Sequence, residues 1–184
     1  MKWAFIAVGV IAAVVVLVVI IGALLPRDHV AIMQARIAAP QRLVWQTLTD
    51  PAAYPTWRHD VKSVEMLAPG AAGPSWREHS SSGAITFAID SADPPHVLVS
   101  RIADRDLPFG GTWSYVVEPE GDSASTVTII EKGYVSNPVF RFVSHFIMGQ
   151  NATIDAYLRA LSKRFGPEVR PTSVQVVVHE TDGV

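Results

Sequence analysis

Seven consecutive positions, Tyr54-Pro-Thr-Trp-Arg-His-Asp60, carry two aromatic rings, a guanidinium, an imidazole and a carboxylate. His59 beside Asp60 has the composition of a general-base pair. Such a pair requires both side chains on one side of the backbone, and adjacent residues of an extended segment point to opposite sides. The spacing therefore argues against a dyad. The stretch reads instead as a corner, with Trp57 turned into a core and Arg58, His59 and Asp60 facing water.

Three other places could do chemistry. In "SWREHSS", Arg77 and His79 share one face and Trp76, Glu78 and Ser80 the other, and alternation does not say which face is inward. His79 is a candidate acid or base if its face is the inner one. In "GTWSYVVEP", Trp113 and Tyr115 fall on the apolar face; aromatic rings with one polar atom suit a pocket that orients a mostly apolar molecule. In "TVTIIEKG", Glu131 follows Val127 and Ile129 on their face, which makes it the leading candidate for an inward carboxylate. Arg101, on the face of Val97 and Val99, is its expected partner. Such a pair in an apolar interior would hold a polar head group or be purely structural. Glu131 and His79 are thus the catalytic candidates. Trp57, Phe87, Arg101, Trp113, Tyr115, Glu131 and Ile147 form the expected ligand lining.

No metal or cofactor is expected. The histidines at 29, 59, 79, 96, 145 and 179 form neither HxH nor HExxH, and no cysteine is present. GxSxG, P-loop and GxGxxG motifs are absent. The Asn151-Ala-Thr153 triplet fits a glycosylation acceptor but falls within a helical pattern. With 15 Lys and Arg against 17 Asp and Glu, no basic excess points to nucleic acid.

These residues sit on a clear order of elements. From Trp3 to Leu25 every residue is apolar or glycine. As a helix this run measures roughly 34 Å, enough for a bilayer core of about 30 Å. It is longer than the core of a cleaved signal peptide, and "GALLPRD" offers no convincing cleavage site. A retained single span over residues 3–25 is expected. The arginines at 27, 36 and 42 outnumber Lys2 across it, which favours a cytoplasmic domain; the very short N-terminal tail favours the opposite side.

A short linker at residues 26–29 leads to a strand from Val30. Pro40 opens a helix carrying Leu43, Val44, Thr47 and Leu48, and Asp50-Pro51 caps a second short helix. From Val61 to Tyr134 the period is two, with short turns, as in an antiparallel meander of about six strands. Asn137-Pro138 then begins a long amphipathic helix with Phe140, Val143, Ile147, Ile154, Tyr157 or Leu158, Leu161 and Phe165 on its apolar stripe. Gly149-Gln150-Asn151 should bend it, and Gly166-Pro167 stops it. The tail at 167–184 reads as loose, with "VQVVVHE" a possible late edge strand. The fold class is α+β: a curved antiparallel sheet wrapped around the long helix.

The stretch "ARIAAPQRLVWQTLTDPAAYPTWRHDVKSVEML", with the closing "TVTIIEKGYVSNPVFRFVSHFIMGQNATIDAYLRALSKRFG", resembles the SRPBCC superfamily of START-like, helix-grip proteins. It is most similar to the polyketide cyclase/dehydrase branch, over residues 30–166. That resemblance implies a deep apolar cavity between sheet and helix for a lipid, isoprenoid or polyketide-like ligand. The family contains binding and transfer proteins and a minority of cyclases and hydrolases, so the fold does not choose among them. The expected function is a membrane-anchored domain binding a small hydrophobic molecule. The alternatives are a cyclase or dehydratase with Glu131, His79 or Tyr115 as acid or base, and an interaction module without a ligand.

Overall fold

A computed structural model describes residues 2–70, 72–149 and 151–174. Helix α1 (Lys2–Leu24) is the apolar run, and the domain buries almost none of it. Strand β1 (Asp28–Ile37) begins two residues before Val30, because Asp28 and His29 already pair with Tyr134 and Gly133. Helix α2 (Gln41–Leu48) buries Val44, Thr47 and Leu48, while Leu43 is exposed. A 3-10 turn over Pro51–Thr56 follows; the Asp50 side chain makes no capping bond to it, contrary to expectation.

Six strands then run as a meander: β2 (Val61–Gly70), β3 (Gly73–Ser80), β4 (Gly83–Asp93), β5 (Val97–Ile102), β6 (Phe109–Glu120) and β7 (Ala124–Val135). Their tight turns have glycines where a positive φ is needed, as at Gly121 between β6 and β7. β1 returns to pair with β7, and β8 (Thr172–Ser173) adds to the outer edge of β1. The order is β2-β3-β4-β5-β6-β7-β1-β8, antiparallel throughout the described pairings. The tail thus begins with a short edge strand; residues 175–184, most of "VQVVVHE", lie outside the described residues.

The expected long helix is three pieces. α3 (Pro138–Val143) is capped by the Asn137 side chain, which accepts from the backbone N–H groups of Val139 and Phe140. A π-helical turn (Ser144–Met148) follows, then a break at Gly149 with φ 79°, and α4 (Ala152–Phe165). α4 is the piece that lies across the sheet, against β1 and β7. Its Ile154, Leu158 and Leu161 are fully buried against Ile37, Val127 and Ile129 of the core. Each such side chain contributes about 1.5–3 kcal/mol of burial.

Pairing fixes which side chains face α4. Met33 and Ala35 share the inner face with Ile129 and Val127, and these with Tyr115 and Val117, through direct cross-strand partners. The same rows carry Trp76, Phe87, Ile89, Leu98, Ser100 and Trp113 inward.

Candidate functional site

The inner face holds an aromatic cluster built around one ion pair. Trp57 leaves the 3-10 turn edge-on to Tyr54 and to Tyr157 of α4, with ring centroids 5.5 and 5.4 Å apart. Trp113 and Tyr115 meet the same Tyr157 ring at 5.7 and 5.6 Å. Phe87 stacks on Trp76 at 5.6 Å, because the two are cross-strand partners.

Arg58 enters this cluster instead of facing water. Its side chain is 12% exposed and the Glu78 side chain 9%. Arg58 Nη1 donates to Glu78 at 3.0 Å and Nη2 to Asp60 Oδ2 at 2.7 Å. Trp76 Nε1 donates to the same Glu78 carboxylate at 2.9 Å. The guanidinium lies over the Tyr54 and Tyr157 rings at 5.3 and 5.1 Å, a cation–π arrangement. Burial works against the Arg58 charge; Glu78 and Asp60 outweigh it and hold the pKa above its ordinary value. Burial also raises the three phenols, Tyr115 to about 12 and Tyr54 and Tyr157 well above their ordinary value. At neutral pH all three are hydrogen-bond donors, not bases.

Three polar atoms in this cluster have no partner: Trp57 Nε1, Arg58 Nε and Tyr157 OH. The Tyr157 hydroxyl lies near those of Tyr54 and Tyr115 without reaching hydrogen-bond geometry with either. Tyr54 OH is spent on the Leu48 carbonyl, 2.7 Å away. A buried donor without an acceptor costs about 1–3 kcal/mol, so three on touching side chains require a reason.

The other candidates are placed differently from expectation. His79 is 44% exposed and faces Glu65 at 3.8 Å, because Trp76 and Glu78 take the inner face of β3. Arg101 points outward and pairs with Asp90 at 2.6 Å, not with Glu131. Val97 and Val99 are apolar, so alternation alone turns Arg101 inward; the inner face of β5 belongs instead to Leu98 and Ser100. Ile147 is 71% exposed on the π turn, beyond the break that separates it from α4.

Glu131 continues the row of Val127 and Ile129, and its partner is His29 at 3.6 Å. Gly133 makes this possible: a Cβ there would lie 2.5 Å from His29 Cε1, so the imidazole lies over the bare backbone. The Glu131 carboxylate 3.6 Å away is the main cause of a raised His29 pKa, opposed by burial and aided by the Asp28 charge. Since the folded value exceeds the ordinary 6.5, the pair stabilises fully below that pH. Its contribution is lost as pH rises through the raised value. Titration of the His29 ring by NMR should give a pKa above 6.5 in the native chain, and Glu131→Gln should lower it. An unchanged value in Glu131→Gln would dismiss the pair.

Two clefts stand out among the described residues, and neither is ligand-sized. One of about 160 Å³ lies between the end of α1, the start of β1 and α3, lined by Arg27, His29, Arg141, Ser144 and His145 among others. A second, apolar cleft of about 90 Å³ lies between Leu48, Pro51, Ile89 and Leu98. Small-molecule pockets usually span about 300–1,000 Å³. Neither cleft lies among Trp57, Trp113, Tyr115 and Tyr157, whose rings pack against one another where the deep cavity is expected.

Sequence reasoning passed over Arg58, Glu78, Tyr157 and His29. A usable signal for Glu78 was its alternation with Trp76, since an indole is buried far more often than an arginine or a histidine. Arg58 had none, since arginine after tryptophan at a corner ordinarily faces solvent.

Comparison with known proteins agrees with this architecture. Residues 30–166 match the family model described as polyketide cyclase / dehydrase and lipid transport. A search of curated proteins gives no match. Among solved structures, a START superfamily protein from Mycobacterium smegmatis is similar at 18% identity with a TM-score of 0.62, covering 74% of this chain and 97% of that one. The Zhui aromatase/cyclase from Streptomyces sp. R1128 is similar at 15% identity and TM-score 0.60, covering 74% and 93%. A norcoclaurine synthase from Thalictrum flavum gives 15%, 0.59, 75% and 94%. At these identities the likeness establishes a shared helix-grip fold. With the family model spanning most of the chain, the protein belongs to the polyketide cyclase / dehydrase and lipid transport family.

Proposed function

We propose that this protein is a membrane-anchored binding domain for a small amphiphile with an apolar body and one oxygen acceptor. The observation that carries the reading is the set of unpartnered buried donors, Trp57 Nε1, Arg58 Nε and Tyr157 OH, in an otherwise apolar interior. A carbonyl, hydroxyl or carboxylate oxygen entering there would satisfy donors that cost stability when the site is empty. The rings of Trp57, Trp113, Tyr115 and Tyr157 would part to take the apolar body, since aromatic side chains offer much apolar surface at fixed geometry. Phe87 and Trp76 extend the same wall.

Helix α1 is long and apolar enough to cross a membrane. Only Leu25, Pro26 and Arg27 separate it from β1. The domain would therefore stay at the bilayer surface, where an apolar ligand can be taken up without crossing water. The arginines that follow the span favour the cytoplasmic face.

Tyr157→Phe tests the reading. It removes one unpartnered hydroxyl and leaves the ring packing in place. Native mass spectrometry of the full chain released from lipid nanodiscs should show a bound apolar molecule on the native protein. In Tyr157→Phe that occupancy should fall by roughly tenfold, the worth of one hydrogen bond of about 1.4 kcal/mol, with thermal stability kept or raised. Equal occupancy in both proteins, or none in either, would sink the proposal.

A further inference from the structure

The piece of the long helix that leaves the sheet presents an apolar surface to the outside. Phe140, Phe146 and Ile147 are 52%, 57% and 71% exposed, and Phe142 packs on Phe146 with ring centroids 4.9 Å apart. Contiguous apolar surface of this kind is uncommon on soluble domains and marks a place where something else covers it.

The position of α3 indicates what that is. It packs against α1, where Val18, Ile21 and Gly22, with Leu25 just past the helix end, are shielded while the other described residues of the helix are exposed. Gly22 is the point of closest approach: a Cβ there would lie 1.9 Å from the Pro138 carbonyl oxygen. From Val18 to Leu25 the helix advances about 10 Å, so α3 lies alongside the last two turns of the apolar run, not beyond its end. Arg141 Nη1 donates to the Leu25 carbonyl at 2.8 Å, supplying a donor where a helix end leaves its carbonyls without partners.

We propose that α3 and the π turn form a second membrane contact, an interfacial wedge that beds Phe140, Phe146 and Ile147 in the bilayer that α1 spans. The inference rests on α1 being a membrane span. α3, packed beside the last turns of the span, shares their depth, so Phe140 would meet acyl chains; the π turn continues from α3 and would carry Phe146 and Ile147 to the same interface. Arg141, on the same short helix, lies at the level of Leu25, where the span ends and headgroups begin, as a long basic side chain does at an interface. The break at Gly149 then separates a membrane-bound piece from α4, which stays on the sheet beside the aromatic cluster. A lipid surface is favoured over a protein partner because α3, which carries Phe140 and leads into the π turn, packs directly on the span.

The chain has no cysteine, so single spin labels can be placed at will. Labels at Ile147→Cys, Phe140→Cys, Val14→Cys and Asp122→Cys are read in the full chain in liposomes, by collision with oxygen and with a water-soluble nickel chelate. The Val14 label reports mid-span and the Asp122 label a hairpin tip of the sheet. The Ile147 and Phe140 labels should follow Val14: rich in oxygen collisions, shielded from nickel, and roughly 5–10 Å below the headgroups. Nickel accessibility at both matching Asp122, with Val14 in lipid, would overturn the wedge and leave the span intact. A Val14 label open to nickel would overturn the span and the wedge with it. The two wedge sites report independently, so local misfolding at one does not decide the result.

Discussion

Replacing Glu78 by leucine is expected to destabilise the domain by about 3–5 kcal/mol, the cost of leaving a buried charge uncompensated. Arg58 would remain between the Tyr54 and Tyr157 rings with only the exposed Asp60 as counter-charge. Trp76 Nε1 would also lose its acceptor. Guanidinium-type cations stay charged at any accessible pH, so Arg58 cannot escape by losing its proton. Denaturant unfolding of the full chain in micelles, followed by tryptophan fluorescence, measures the loss. Because the penalty comes from the orphaned charge, Arg58→Met combined with Glu78→Leu should recover most of it. A single-variant cost below about 1 kcal/mol would mean the pair behaves as an exposed salt bridge.

The second large effect is expected at Gly22. A Cβ at this position meets backbone, the Pro138 carbonyl oxygen at 1.9 Å, and backbone cannot rotate away. Gly22→Val should therefore push α3 off α1 at a cost of about 1–3 kcal/mol, typical of overpacking. The cost falls on the contact between α1 and α3. Hydrogen exchange of α3 and the π turn should quicken by roughly 5- to 150-fold, while α4, fixed on the sheet by Ile154, Leu158 and Leu161, keeps its protection. Uniform exchange across α3 and α4 in both proteins would contradict the division at Gly149.

These two sites show where sequence was informative. The strand–helix–meander–helix order followed from local signals: Pro40 at a helix start, the switch to period two at Val61, the Asn137 cap and the Gly149 interruption. Hairpins and caps are set by neighbouring residues, so the sheet order of β2 to β7 was readable. Which face of β3 and β5 turns inward was not. Both faces of β5 are apolar over Val97, Leu98 and Val99, and on β3 arginine and histidine compete with tryptophan and glutamate. Only cross-strand pairing with β4 and β6 settles them. That is why Arg101 and His79 lie outside and Ser100 and Glu78 inside.

Ile147 failed for a different reason. Its helical spacing is sound, but the break at Gly149 rotates and separates α3 and the π turn from α4, so one apolar stripe serves two surfaces. Trp57, Trp113 and Tyr115 lie on the inner face as expected. Glu131 does so too, with His29 in place of the expected Arg101. The closed interior was not legible at all, because aromatic residues at inward positions describe a lined pocket and a filled core equally well.

His79 is remote, Glu78 is committed to Arg58 and Trp76, and the raised phenols serve as donors at neutral pH. What the interior offers is hydrogen-bond donors without acceptors, surrounded by packed aromatic rings.

The most direct measurement is an experimental structure of the full chain in lipid nanodiscs, with whatever it carries from the cell. The account predicts elongated non-protein density among Trp57, Trp113 and Tyr157, its polar end within hydrogen-bond distance of Trp57 Nε1, Arg58 Nε and Tyr157 OH. An interior packed as tightly as here, with those three donors satisfied by protein oxygens or ordered water, would contradict it.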